Sequence, residues 1–172
     1  MQGYEEYTIA ELLLKMQQHC LTSEQLTSWY LARIEQFDAG ENGLNSVLEK
    51  NPDALAIAKQ RDLERSQGRI LGPLHGIPLL IKDNIDTADK MHPSAGSLAL
   101  ANSYAGQDAK IVSRLREAGA VLLGKTNMTE FANYISTENM PNGYSSRGGQ
   151  VLHPYGKQFD PSGSSTGSGV AV

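Results

Sequence analysis

Lys82 closes a short apolar run, Ile77-Pro78-Leu79-Leu80-Ile81, and Asp83 and Asn84 follow it directly. An amine held there out of water favours its neutral form, because burial penalises the ammonium, and a neutral amine can take up a proton. The other reading is a lysine that ends its strand with the charge in solvent, since buried lysines are rare. A second concentration of chemistry is Pro161-Ser162-Gly163-Ser164-Ser165-Thr166-Gly167-Ser168-Gly169, which packs hydroxyls and small residues into one turn ahead of Val170-Ala171-Val172. Such a turn caps a helix or stays flexible. Alternatively, one serine passes a proton from a second hydroxyl to an amine while that second hydroxyl attacks a carbonyl, and no imidazole is needed. Amides at a helix start would also attract an anion, but no Gly-Lys-Ser/Thr follows at P-loop spacing. His19, His75, His92 and His153 are scattered without a close helical pair, so no metal and no cofactor is assigned.

The elements that must position these residues are legible from pattern. Thr8-Ile9-Ala10-Glu11 has capping-box spacing and starts a helix carrying Leu12, Leu13, Leu14 and Met16, which stops near His19 and Cys20. Thr22 or Ser23 caps a second helix with Leu26, Trp29, Tyr30, Leu31 and Ile34, expected to pair with the first as a hairpin. After the turn at 38–43 a short strand runs from Asn45 to Glu49, and Asn51-Pro52 opens a third helix that Gly68 ends. The run 77–81 reads as a strand covered on both faces, with Pro78 at its beginning. A helix over 109–118, closed by Gly119, leads to the apolar strand Ala120-Val121-Leu122-Leu123. Strand, helix, strand implies a parallel crossover, and ligands in such sheets bind at the carboxyl ends of strands, where Lys82 falls.

Between these elements, residues 85–107 are long enough to carry a short helix or a functional loop. Met128, Phe131, Ala132 and Ile135 predict a short helix over 127–136, with Glu130 in its first turn. Residues 137–163 read as a binding loop or a poorly ordered stretch. Within it Arg147 is a candidate substrate contact. Strand alternation turns Asp83 to the face opposite Lys82, which favours a structural role.

The chain has 172 residues, 15 Lys+Arg against 19 Asp+Glu, and a sequence pI near 5.5. One domain is the default at this length. Mild acidity without a basic run argues against nucleic acid or an anionic membrane as partner, which need clustered Lys and Arg. Small molecules fit better. Cys20 is the single cysteine, so no internal disulfide forms and a reducing, cytoplasmic setting is expected. The N-terminus lacks the basic and apolar regions of a secretory signal, and no apolar stretch is long enough to span a bilayer.

Three blocks, in order, carry a resemblance: Gly72-Pro73-Leu74-His75-Gly76-Ile77-Pro78-Leu79-Leu80-Ile81-Lys82-Asp83-Asn84, then Gly124-Lys125-Thr126-Asn127-Met128-Thr129-Glu130-Phe131-Ala132, then Ser162-Gly163-Ser164-Ser165-Thr166-Gly167-Ser168-Gly169. They resemble the amidase signature family, whose members hydrolyse carboxylic amides with a Ser, cis-Ser, Lys triad. The resemblance implies an α/β fold, with N-terminal helices over about 1–68 and part of a mixed sheet between helices over about 69–172, all within one domain that continues past the chain. It implies Lys82 as the catalytic lysine and Ser164 as the bridging serine, with Gly163, Ser165, Asn127 and Asp83 as substrate-binding or supporting residues. The family's Gly-Gly-Ser-Ser reads Ser162-Gly163-Ser164-Ser165 here, which puts a side chain at a usually bare position. Its nucleophile lies in a later Gly-x-Asp-x-Gly-Gly-Ser block, and no such sequence occurs in these residues. The expectation is an N-terminal portion, inactive alone, which exposes a sheet edge and self-associates through it. Its full-length form would act on a small-molecule amide. The other readings are a piece of the amidase-like subunit of a glutamyl-tRNA amidotransferase, which 146–150 fits less well than a stand-alone amidase, and a non-catalytic binding module on the same fold.

Overall fold

The computed structural model describes residues 3–40, 42–136 and 140–172. Helix α1 (Ile9–Gln17) opens with a complete capping box, in which the Thr8 hydroxyl takes the Glu11 amide and the Glu11 carboxylate takes the Thr8 amide. Thr22 and Gln25 repeat the device at α2 (Ser23–Arg33). The Asp62 carboxylate accepts the Ser23 and Glu24 amides at 2.7 and 2.9 Å, which ties the positive end of α2 to α3 (Ala54–Ser66).

Helix α2 accordingly packs mainly along α3, and the expected α1–α2 hairpin reduces to a shared apolar cluster of Leu12, Met16, Leu21, Leu26 and Ile77. The reason is that α2 has two apolar sides. Leu26 meets α1, whereas Tyr30 and Leu31 pack on Ala54, Ala58, Val121 and Leu123. A π-helical turn, Ile34–Asp38, ends the helix. There the buried Asp38 carboxylate accepts the Ser46 amide, the Ser46 hydroxyl and the Val47 amide at 2.6–2.8 Å, fixing where β1 (Val47–Lys50) begins.

Strands β2 (Pro78–Lys82) and β3 (Val121–Thr126) complete a mixed sheet of order β1-β3-β2, with β3 antiparallel to β1 and parallel to β2. Helix α4 (Lys110–Glu117) makes the crossover. Every residue of the central strand is buried. One face of the sheet packs on α3, and the other forms the cluster Ile81, Met91, Leu122 and Val112 with α4. The α/β class and the sheet between helices stand as expected. The register pairs Lys82 with Thr126, so the ends of β2 and β3 lie side by side.

The helix expected over 127–136 does not form. Asn127 and Met128 belong to no regular element, Thr129 is extended, and a 3₁₀ turn, Glu130–Asn133, follows, with Phe131, Ala132 and Asn133 at φ of 44°, 56° and 67°. Tertiary partners have taken the backbone that a helix would need: the Phe131 amide, which a helix would turn to the Asn127 carbonyl, donates to Ala95 at 2.9 Å, and that carbonyl accepts the Gly167 amide at 2.9 Å. Of the four apolar residues that suggested a helix, only Met128 is buried. Residues 85–107 carry one 3₁₀ turn, Leu98–Leu100. The stretch 137–163, of which 137–139 lie outside the described residues, contains the small hairpin β4 (Tyr144–Ser145) and β5 (Gly149–Gln150). Helix α5 (Thr166–Val170) closes the chain against β2 and β3. Among the described residues no helix is long and apolar enough to cross a membrane.

Candidate active site

Lys82 stands at the carboxyl end of β2, half-buried, and its Nζ lies 2.8 Å from Ser164 Oγ and 2.9 Å from Ser165 Oγ. Burial alone pulls its pKa below the ordinary lysine value, with no carboxylate opposing it. The amine therefore faces hydroxyls rather than a counter-ion.

The serine turn is placed by backbone. Ser164 accepts the Thr129 amide through its carbonyl, and the Gly163–Ser164 peptide is cis. A Cβ on Gly163 would sit 2.6 Å from Thr129 Oγ1, so this residue must be bare. Ser162, at the family's glycine position, has a φ of 60° and is steadied by Asp160, which accepts its amide at 2.7 Å. Gly167 donates its amide to Asn127 at 2.9 Å, and a side chain there would run into the backbone of Ser46 and Asn127. The hydroxyls of Thr126 and Ser168, 2.7 Å apart, join α5 to the end of β3.

The other singled-out residues stand behind this group. Asn127 is fully buried; its amide group donates to the Asn45 carbonyl and accepts from Ser145 Oγ and the Met128 amide. It latches the β4–β5 hairpin to the sheet and shares no hydrogen bond with Lys82 or Ser164. Asp83 is also fully buried and turned away from Lys82, where it accepts the Ser94 hydroxyl at 2.6 Å and the Gly96 amide at 2.8 Å.

Arg147 does not reach outward as a substrate contact would. Its guanidinium pairs with Glu49 at 2.6 Å and Asp83 at 3.4 Å, because a buried carboxylate beside a partly buried one requires a cation. Glu130 is likewise more than a first-turn residue, since it accepts the Ser146 amide at 2.7 Å and holds the hairpin. Sequence reasoning missed Lys125, the largest fully buried side chain, which donates to the Ile85 carbonyl. Desolvation lowers its pKa, against the raising effect of Asp83, Asp89, Glu49 and Asp86. The available signal was a lone charge inside a strand otherwise apolar or small.

Fold and site together define an α/β protein with a lysine–serine pair at the carboxyl ends of parallel strands. The Amidase family model matches residues 25–172. The native peptide amidase from Stenotrophomonas maltophilia superposes with a TM-score of 0.93 at 50% identity, over 99% of this chain and 34% of that one. A protein of Schizosaccharomyces pombe named as an amidase is 45% identical over 98% of this chain and 28% of its own length. A glutamyl-tRNA(Gln) amidotransferase subunit of Natranaerobius thermophilus is 37% identical over 97% of this chain and 32% of its own. The chain belongs to the amidase family. It spans about a third or less of the length of these relatives.

Proposed function

We propose that the protein containing these residues hydrolyses a carboxylic amide C–N bond, with Lys82 as general base and Ser164 as relay. The observation that carries this reading is an uncompensated, half-buried amine 2.8 Å from the Ser164 hydroxyl. A neutral Lys82 takes the Ser164 proton while Ser164 Oγ takes that of an attacking serine, whose oxygen bonds to the amide carbon. The return of that proton to the amide nitrogen lets the C–N bond break. Water then frees the acyl group by the same relay. Ser165, on the same amine at 2.9 Å, holds Lys82 in place, and Gly163 leaves the turn room to approach Thr129.

The attacking serine belongs to a Gly-x-Asp-x-Gly-Gly-Ser block that these 172 residues do not contain, so we infer that they are inactive alone. The substrate is a small amide, and likeness to a peptide amidase favours peptide amides. The reading needs no metal or cofactor, and a cytoplasmic setting suits the exposed free thiol of Cys20.

The test is turnover of a panel of aliphatic, aromatic and peptidyl amides by the full-length protein. Lys82→Ala and Ser164→Ala should each lower kcat by about 10²–10⁴ with the fold retained. The kcat/KM should rise with pH up to the lysine titration. A folded Lys82→Ala protein with wild-type turnover overturns the reading. Turnover by the 172-residue chain that Lys82→Ala abolishes overturns its inactivity.

A further inference from the structure

Asp83 follows Lys82 directly, so a fully buried carboxylate shares the strand end with the amine, its side chain turned to the opposite face onto Ser94 and Gly96. Left alone it would favour the ammonium and oppose general-base work. Glu49 of β1 adds a second, largely buried carboxylate to the same cluster. Both are met by cations. Arg147 reaches Glu49 with one guanidinium nitrogen at 2.6 Å, and with the other reaches Asp83 Oδ1 at 3.4 Å, the His92 carbonyl at 3.0 Å and Ser94 Oγ at 3.0 Å. Lys125 of β3 lies buried in the field of the same two carboxylates.

The remaining charged groups are spoken for. His92 Nδ1 lies 2.7 Å from Glu49, while Arg116 of α4 pairs with Asp89 and Asp108. Asp86 is exposed to solvent, and α5 contributes no titratable side chain. Buried Asp83 and partly buried Glu49 thus balance buried Lys125 and partly buried Arg147 on the face of the strand end opposite Lys82.

We propose that Arg147 is a positioning residue for Lys82, pairing with Asp83 and Glu49 so that the carboxylates face away and the Lys82 amine meets only hydroxyls. The inference rests on the amidase reading for its consequence in catalysis, but not for its effect on the amine. The bonds to Ser94 and His92 also hold Asp83 against the 92–96 segment, away from the serine turn.

The experiment uses the full-length protein as wild type, Arg147→Met and Arg147→Lys. Competitive acetylation of Lys82, followed by mass spectrometry from pH 6 to 11, gives the pH of half-labelling without reference to activity. Arg147→Met should raise that pH by about one unit, equivalent to tenfold less neutral amine. It should lower kcat about tenfold below that titration and leave KM within about twofold. Arg147→Lys, which keeps the charge, should restore most of both. A folded Arg147→Met protein with an unmoved half-labelling pH overturns the proposal. Should that variant fail to fold, Glu49→Gln removes a carboxylate instead and should lower the half-labelling pH; no change overturns the proposal equally. Wild-type protein without amide turnover would sink the hydrolase reading, while the labelling shift would still decide this one.

Discussion

At the scale of single residues, the serine turn depends on positions with no room to spare. Gly167→Ala would drive a methyl group into the Ser46 and Asn127 backbone, neither of which can swing aside. It should cost about 1–3 kcal/mol, read as a lower urea midpoint, and should weaken the Lys82–Ser164 contact by shifting the turn. Ser162→Gly changes a left-handed non-glycine residue to the one residue type that adopts this conformation freely. Its stability should stay within about 1 kcal/mol of wild type or rise; a large loss would show that the Ser162 side chain holds the turn. Lys82 and Ser164 were legible in the sequence because each sits inside a compact motif. Arg147 was not, since its role is set by Glu49, 98 residues earlier in the chain.

Elements whose stops and starts are local chemistry could be read directly, and those governed by tertiary partners could not. The capping box at Thr8, the cap at Thr22 or Ser23 and the strand-helix-strand crossover belong to the first kind. The stretch after β3 belongs to the second: its apolar spacing is helical, yet its Phe131 amide is committed to Ala95 and its Asn127 carbonyl to Gly167. The turn before β2 shows the same principle through His75, which is fully buried. Its Nδ1 accepts the Leu71 amide at 3.3 Å, so Nε2 carries the proton and donates to the Arg61 carbonyl at 2.9 Å. Burial holds its pKa below the ordinary 6.5, against that carbonyl and with help from the charges of Arg65 and Arg61. The sign follows from linkage. Below 6.5 the unfolded chain binds a proton that the fold resists, so stability is fully present above that pH and falls as pH drops towards the folded value. His75→Ala should cost about 2–4 kcal/mol at neutral pH and flatten the loss between pH 7 and 5. Urea titrations at several pH values check both, and an unchanged slope would mean that another group carries the acid sensitivity.

For the molecule as a whole, the sheet is the exposed question. Among the described residues β3 is paired on both sides and β2 on one, so β2 presents one row of backbone groups without a ladder partner. Helix α5 leans on β2 but supplies no strand. Apolar side chains stand in solvent as well, including Leu98 at 64% exposure and Ile111 at 56%. A strand edge beside uncovered apolar surface is a template for pairing with another chain. Relatives devote about two thirds of their length to residues beyond this match. The 172-residue chain on its own should therefore self-associate, its weight-average mass in sedimentation equilibrium rising with concentration, while the full-length protein under the same conditions should not follow that trend. Hydrogen exchange discriminates the route: the β2 amides that point away from β3 should gain protection as the short chain associates. A short chain that stays monomeric across the concentration range, with those amides exchanging freely, would mean that α5 and the serine turn shield the edge by themselves. The Lys82–Ser164 pair would then be assembled in a unit that is stable by itself.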